Sequence, residues 1–91
     1  MSDNKTYYLY GSKTVQWKNQ PEQRRVTIAG VLVDNVIFFG KSECSPKDNF
    51  TKKKGRAIAS GRALKHPLNK VEINDSHVIG KIFVEVAKEL I

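Results

Sequence analysis

Val26-Thr27-Ile28-Ala29-Gly30-Val31-Leu32-Val33-Asp34-Asn35-Val36-Ile37-Phe38-Phe39-Gly40-Lys41-Ser42-Glu43-Cys44 reads as two strands joined by one tight turn. Both arms are rich in β-branched and aromatic residues, which suit a pleated, half-buried surface. Asp34-Asn35 tolerates positive φ at both positions, as a two-residue hairpin turn requires. Gly30 breaks the alternation of Val26, Ile28, Val31 and Val33, which predicts a β-bulge at that point. The hairpin over 26–44 is the centre from which the rest of the chain is placed.

Upstream, Thr6-Tyr7-Tyr8-Leu9-Tyr10 predicts an aromatic strand, Gly11-Ser12 a turn, and Thr14-Val15-Gln16-Trp17 a second short strand. The polar stretch 19–23 reads as a loop. Downstream, Ser45-Pro46-Lys47-Asp48 fits a capping box with proline at the first helical position. Thr51 is the weaker cap, because it puts Lys52, Lys53 and Lys54 at the positive end of the helix dipole. The helix is expected over about 46–65 and ends before His66-Pro67. Phe50, Ala57, Ile58, Gly61 and Leu64 recur at helical spacing, so this face is expected to lie on the sheet. Gly55 and Gly61 weaken a helix interior and call for close backbone approach to the sheet or to a ligand. Val71-Glu72-Ile73 reads as an edge strand, and Asn74-Asp75-Ser76 as a cap cluster. A helix is expected over about 77–91, with Ile79, Ile82, Phe83, Val86 and Leu90 on one stripe; the β-branched run 81–86 also fits a strand. The fold class is α+β: an antiparallel sheet of three to four strands, a basic helix and a C-terminal helix, in a single domain over residues 1–91.

Composition narrows the function classes. Apolar residues make up 40% of the 91, enough for a folded core. The N-terminal residues lack the apolar run of a secretory leader, and no apolar run is long enough for a membrane span, so a cytoplasmic protein without a membrane partner is expected. Cys44 is the single cysteine, which excludes an internal disulfide. With only His66 and His77 besides, no metal or other cofactor is expected. Neither histidine sits in a catalytic motif, and there is no phosphate-binding glycine loop. Cys44 lies near lysines that would lower a thiol pKa, but a buried, inert cysteine is the commoner case. The chain reads as a binding protein and not as an enzyme.

Charge points to what is bound. The net charge is +7. Lys41, Lys47, Lys52, Lys53, Lys54, Arg56, Arg62, Lys65 and Lys70 face only Glu43 and Asp48 within 41–70, so that segment holds the whole excess. Localised charge of one sign attracts anions. Arginine offers a two-point fork that matches phosphate oxygens. Arg56 and Arg62 stand six residues apart, about 120° around a helix, so they flank a stripe and do not share one. Ser60 falls on the Arg56 side. Lys47 and Lys53 would add charge, while Tyr7, Tyr8, Tyr10 and Trp17 offer faces for stacking on bases, Tyr8 and Tyr10 on one strand face with Tyr7 opposite, and Tyr8 and Trp17 are taken as site residues. The plainer reading is a solvated basic helix whose aromatic neighbours pack the sheet.

The run 44–50, followed by Lys54-Gly55-Arg56-Ala57-Ile58-Ala59 and Gly61-Arg62-Ala63-Leu64, resembles a pattern in small phage accessory proteins. Some phage proteins of this size sequester nucleotide second messengers made by bacterial defence systems. The resemblance implies a cyclic nucleotide sponge, acting in the host cytoplasm, with Arg56 and Arg62 as phosphate contacts. A chain of 91 residues has little depth for a pocket. A homo-oligomer with its site at an interface is therefore expected; the amphipathic C-terminal segment is one candidate for the contact, and packing on its own sheet is its simpler role. An RNA- or DNA-binding domain and an inhibitor of a host protein are the other readings.

Overall fold

The computed structural model describes residues 5–45 and 51–91. Strands β1 (Lys5–Trp17), β2 (Gln20–Val33) and β3 (Val36–Cys44) are followed by helix α1 (Lys52–Lys65), strand β4 (Asn69–Glu72), a 3-10 turn (Ser76–Val78) and helix α2 (Ile79–Leu90). The strands form one antiparallel sheet in the order β1-β2-β3-β4. The fold is α+β, with one helix on each face of the sheet.

The central hairpin forms as its sequence predicts, with Asp34 and Asn35 at φ 49° and 64°. The N-terminal third differs. β1 is one continuous strand, and the expected turn at Gly11-Ser12 is instead paired backbone, Gly11 with Val26 and Ser12 with Arg25. Gly11 leaves space for a side chain of the opposite element: a Cβ there would lie 2.7 Å from Cδ1 of Ile91, which would have to turn aside. The chain reverses at Lys18-Asn19, both at positive φ (51° and 63°), so residues 20–23 of the expected loop are strand. Lysine at the first turn position carries no turn signal, which hid this second hairpin. The expected bulge at Gly30 is absent, since Gly30 pairs in register with Tyr7 and Phe39. It too makes room, because a Cβ there would lie 2.8 Å from Cε1 of Phe83.

Side chains on a strand alternate between faces. One face presents Tyr7, Leu9, Val26, Ile28, Leu32, Ile37, Phe39 and Val71 to α2, whose Phe83 and Ala87 are buried against it. Phe83 stacks on Phe39, with ring centroids 5.7 Å apart and planes at 4°, and meets Tyr7 at the same distance. The C-terminal segment is therefore helix, and its apolar stripe is spent on its own sheet.

The opposite face carries α1 over a patch of small side chains, among them Thr27, Ala29, Gly40 and Ser42. Here the expected inward face is corrected. The buried residues of α1 are Gly55, Ala59 and Ala63, one turn apart. Ala57 is exposed, as are Ile58 and Leu64 (36% and 58%), and nothing lies within 4 Å of a Cβ built on Gly61. Phe50 lies outside the described residues. The physical reason is Gly40, whose Cα faces the backbone of Ala59 and Ala63. Helix and sheet meet backbone to backbone, and only a stripe without bulk allows that approach. Thr51 caps α1, its hydroxyl accepting from the Lys54 N–H at 3.2 Å. The cap preferred from the sequence, Ser45-Pro46, runs into residues outside the described set, and the described helix starts at Lys52 and not at about 46. The helix closes where expected, with the His66 N–H donating to the Arg62 carbonyl at 2.8 Å.

Candidate functional site

Helix α1 lies over β2 and β3, which leaves the same face of β1 without a helix above it. Two cations reach from the helix across that gap. The Arg56 guanidinium sits over the Tyr8 ring, 5.8 Å from its centroid, and the Lys52 ammonium over the Tyr10 ring at 5.0 Å. The spacing is matched: four helical residues advance about 6 Å, and two strand residues about 6.6 Å. One turn of α1 thus registers with one side-chain repeat of β1. A cation over an aromatic face is held by the ring quadrupole. Both cations are exposed, and α1 contains no carboxylate to neutralise them.

The other candidates distribute unevenly. Ser60 continues the Lys52–Arg56 flank, but its hydroxyl donates back to the helix, to the carbonyls of Arg56 at 2.8 Å and Ala57 at 3.3 Å. Lys53 is exposed on the first turn. Arg62 lies on the opposite flank, where its Nη1–H donates to the Lys41 carbonyl at 2.9 Å. That carbonyl belongs to the part of β3 beyond its pairing with β4, which covers residues 36–39. The stripe between the two arginines faces the sheet, so Arg56 and Arg62 do not converge on one ligand. Trp17 is nine residues along β1 from Tyr8, on the other face, at the tip of the β1–β2 hairpin. Lys47 lies outside the described residues. Sequence reasoning missed Lys52 as a site residue, and placed Tyr10 beside Tyr8 as a stacking candidate without carrying it into the set. The four-residue step Lys52–Arg56 set against the two-residue step Tyr8–Tyr10 is the signal that finds them.

A second charged group occupies the α2 face, past the end of that helix. Glu43 accepts from Lys13 at 2.9 Å and from Lys41 at 3.2 Å, with Arg24 at 3.9 Å; Arg24 also meets Glu22 at 3.0 Å. Glu43 ties β1, β2 and β3 together where β3 ends. Burial raises the Glu43 pKa, but the hydrogen bonds and charges of Lys13 and Lys41 outweigh it and hold the carboxyl below its ordinary 4.5. Burial lowers the Lys41 pKa, helped by the neighbouring Lys13 ammonium. A depressed carboxylate pKa stabilises the fold above the unfolded value and ceases to do so as pH falls through the folded one. Stability is therefore expected to decline on acidification below about pH 4.5. In Glu43→Gln, thermal denaturation across pH 3–7 should show a lower midpoint at neutral pH and a flatter acid limb. An unchanged acid limb would remove Glu43 from that role.

Among the described residues no group of three His, Cys, Asp or Glu side chains is placed to hold a metal ion. Cys44 is half-buried at the end of β3. Among the described residues no helix is long and apolar enough to cross a membrane. Comparison of the chain with protein-family models, curated proteins and solved structures returns no match.

Proposed function

We propose that the chain is a non-catalytic binding protein that captures a phosphate-bearing nucleotide, with Lys52 and Arg56 contacting phosphate and Tyr8 and Tyr10 offering their ring faces to the base. The observation that carries this reading is the matched pairing of two exposed cations, on a helix without carboxylates, with two tyrosines along one flank. A nucleotide joins an anion to a flat π system, and this flank presents a partner for each. Arg62 has no part in the contact, because it lies across the helix. The resemblance to small phage accessory proteins narrows the ligand to a cyclic nucleotide signal of antiphage defence, captured in the host cytoplasm.

The test is a panel of nucleotides, cyclic dinucleotides, RNA and DNA, read as thermal shift and by calorimetry at two salt concentrations. One small nucleotide should give a large shift. Charge-assisted contacts make each cation worth about tenfold or more in affinity. The double variant Lys52→Ala, Arg56→Ala should therefore lose binding while keeping its melting temperature, and Arg62→Ala should retain affinity. Broad binding to polymers that salt erases would support a nucleic-acid domain instead. No response to any member would overturn the nucleotide reading in favour of a protein target.

A further inference from the structure

The two edges of the sheet are unlike. β4 closes one side with 4 residues. β1 closes the other with 13, and among the described residues β2 is its only strand partner. An edge strand is ordinarily guarded by shortness, proline, a bulge or charge. β1 has none of these over its middle: pairing with β2 runs without a bulge, and residues 6–12 (Thr-Tyr-Tyr-Leu-Tyr-Gly-Ser) carry no charge and no proline. Every second residue there directs both its N–H and its C=O to the open side. The candidate site is open on that same side.

We infer that two copies of the chain pair antiparallel through β1, joining their sheets into one of eight strands and completing the ligand site between two α1 helices. A two-fold contact through a single strand is self-complementary, each outward N–H meeting a carbonyl of the other copy. The geometry leaves room for a ligand. Strands lie about 4.8 Å apart and α1 sits over β2 and β3, so each helix axis stands about 10 Å from the two-fold axis. The axes are then about 19 Å apart, and helices about 10–12 Å across leave a trough about 8 Å wide. Its floor is Tyr8 and Tyr10 from both copies, and its walls carry Lys52 and Arg56 from both. Like charges face each other across the trough, and an anion between them relieves the repulsion. Ligand and pairing thus reinforce each other. The trough's occupant rests on the nucleotide reading, whereas the pairing does not.

The pairing is measured without nucleotide. Sedimentation equilibrium should give twice the 10.3 kDa chain mass. In Cys44→Ala, Ser12→Cys carrying a nitroxide, pairing centred between Tyr8 and Tyr10 puts the two labels roughly 15–30 Å apart, read by pulsed dipolar spectroscopy. A monomer mass, or a dimer without coupling in that range, overturns the inference. Calorimetry with the nucleotide that gives the largest shift should then show one ligand per two chains. One ligand on each monomer also overturns it and leaves the ligand reading intact. Pairing without any nucleotide bound supports the β1 interface and removes the nucleotide from the trough.

Discussion

Gly40→Val should unseat α1 from the sheet and unfold much of the protein at ordinary temperature. A Cβ on Gly40 runs into the carbonyl of Ala59 and the backbone N and Cα of Ala63. These are main-chain atoms inside a helix, so no rotamer change relieves the clash, and the whole of α1 must lift. Overpacking a tight core costs about 1–3 kcal/mol where side chains can adjust, and more where backbone must move. A domain of this size holds about 5–15 kcal/mol in total. The substitution should abolish the cooperative melting transition or lower its midpoint by well over ten degrees, with loss of helical circular dichroism. Gly61→Val, whose Cβ would point into open space, is the control. It carries only the smaller effect of valine on an exposed helix position. Equal damage from both would show that the close approach at Gly40 is not what makes its replacement costly.

Phe83→Ala should be comparably severe on the other face. Phe83 is 3% exposed, stacks on Phe39, touches Tyr7 and fills the hollow over Gly30. Its removal leaves a cavity lined by a flat sheet face that cannot collapse inward, and phenylalanine-to-alanine changes in such cores cost about 3–5 kcal/mol. Chemical denaturation should show the midpoint falling with little change in slope. Gly30→Ala alone should also destabilise. Combined with Phe83→Leu it should recover part of the loss, because Gly30 and Phe83 occupy one volume. A strictly additive pair would mean the two positions are not coupled in this way.

What the sequence revealed and what it concealed follow one physical division. The 26–44 hairpin and the α2 stripe were legible because apolar side chains at the period of their element must be buried. The orientation of α1 was not. Ala57, Ile58, Gly61 and Leu64 carry the larger apolar signal, yet Gly55, Ala59 and Ala63 take the interface. The reason lies at Gly40, on another element, and no helix-local pattern encodes it. β1 was divided at Gly11 because a glycine that makes room for Ile91 looks identical to one that makes a turn. At the candidate site, cations and tyrosines were separately visible, but the match of Lys52–Arg56 to Tyr8–Tyr10 depends on how α1 lies across the strands. That placement also separates Arg56 from Arg62, which sequence spacing alone allowed to cooperate.

The β1–β2 hairpin outruns β3, whose last pair is Cys44 with Arg25, and continues as a bare ribbon from Lys13 and Arg24 to the turn at Lys18-Asn19. A two-stranded ribbon has little stability of its own in water, and the Glu43 ion pairs clasp it only at its root. The chain's single tryptophan stands at the far end, half in solvent. Indole emission consequently watches the part of the molecule that frays earliest. An optical melt followed at Trp17 tracks the tip of the ribbon, and the body of the fold must be followed through its tyrosines or its helices.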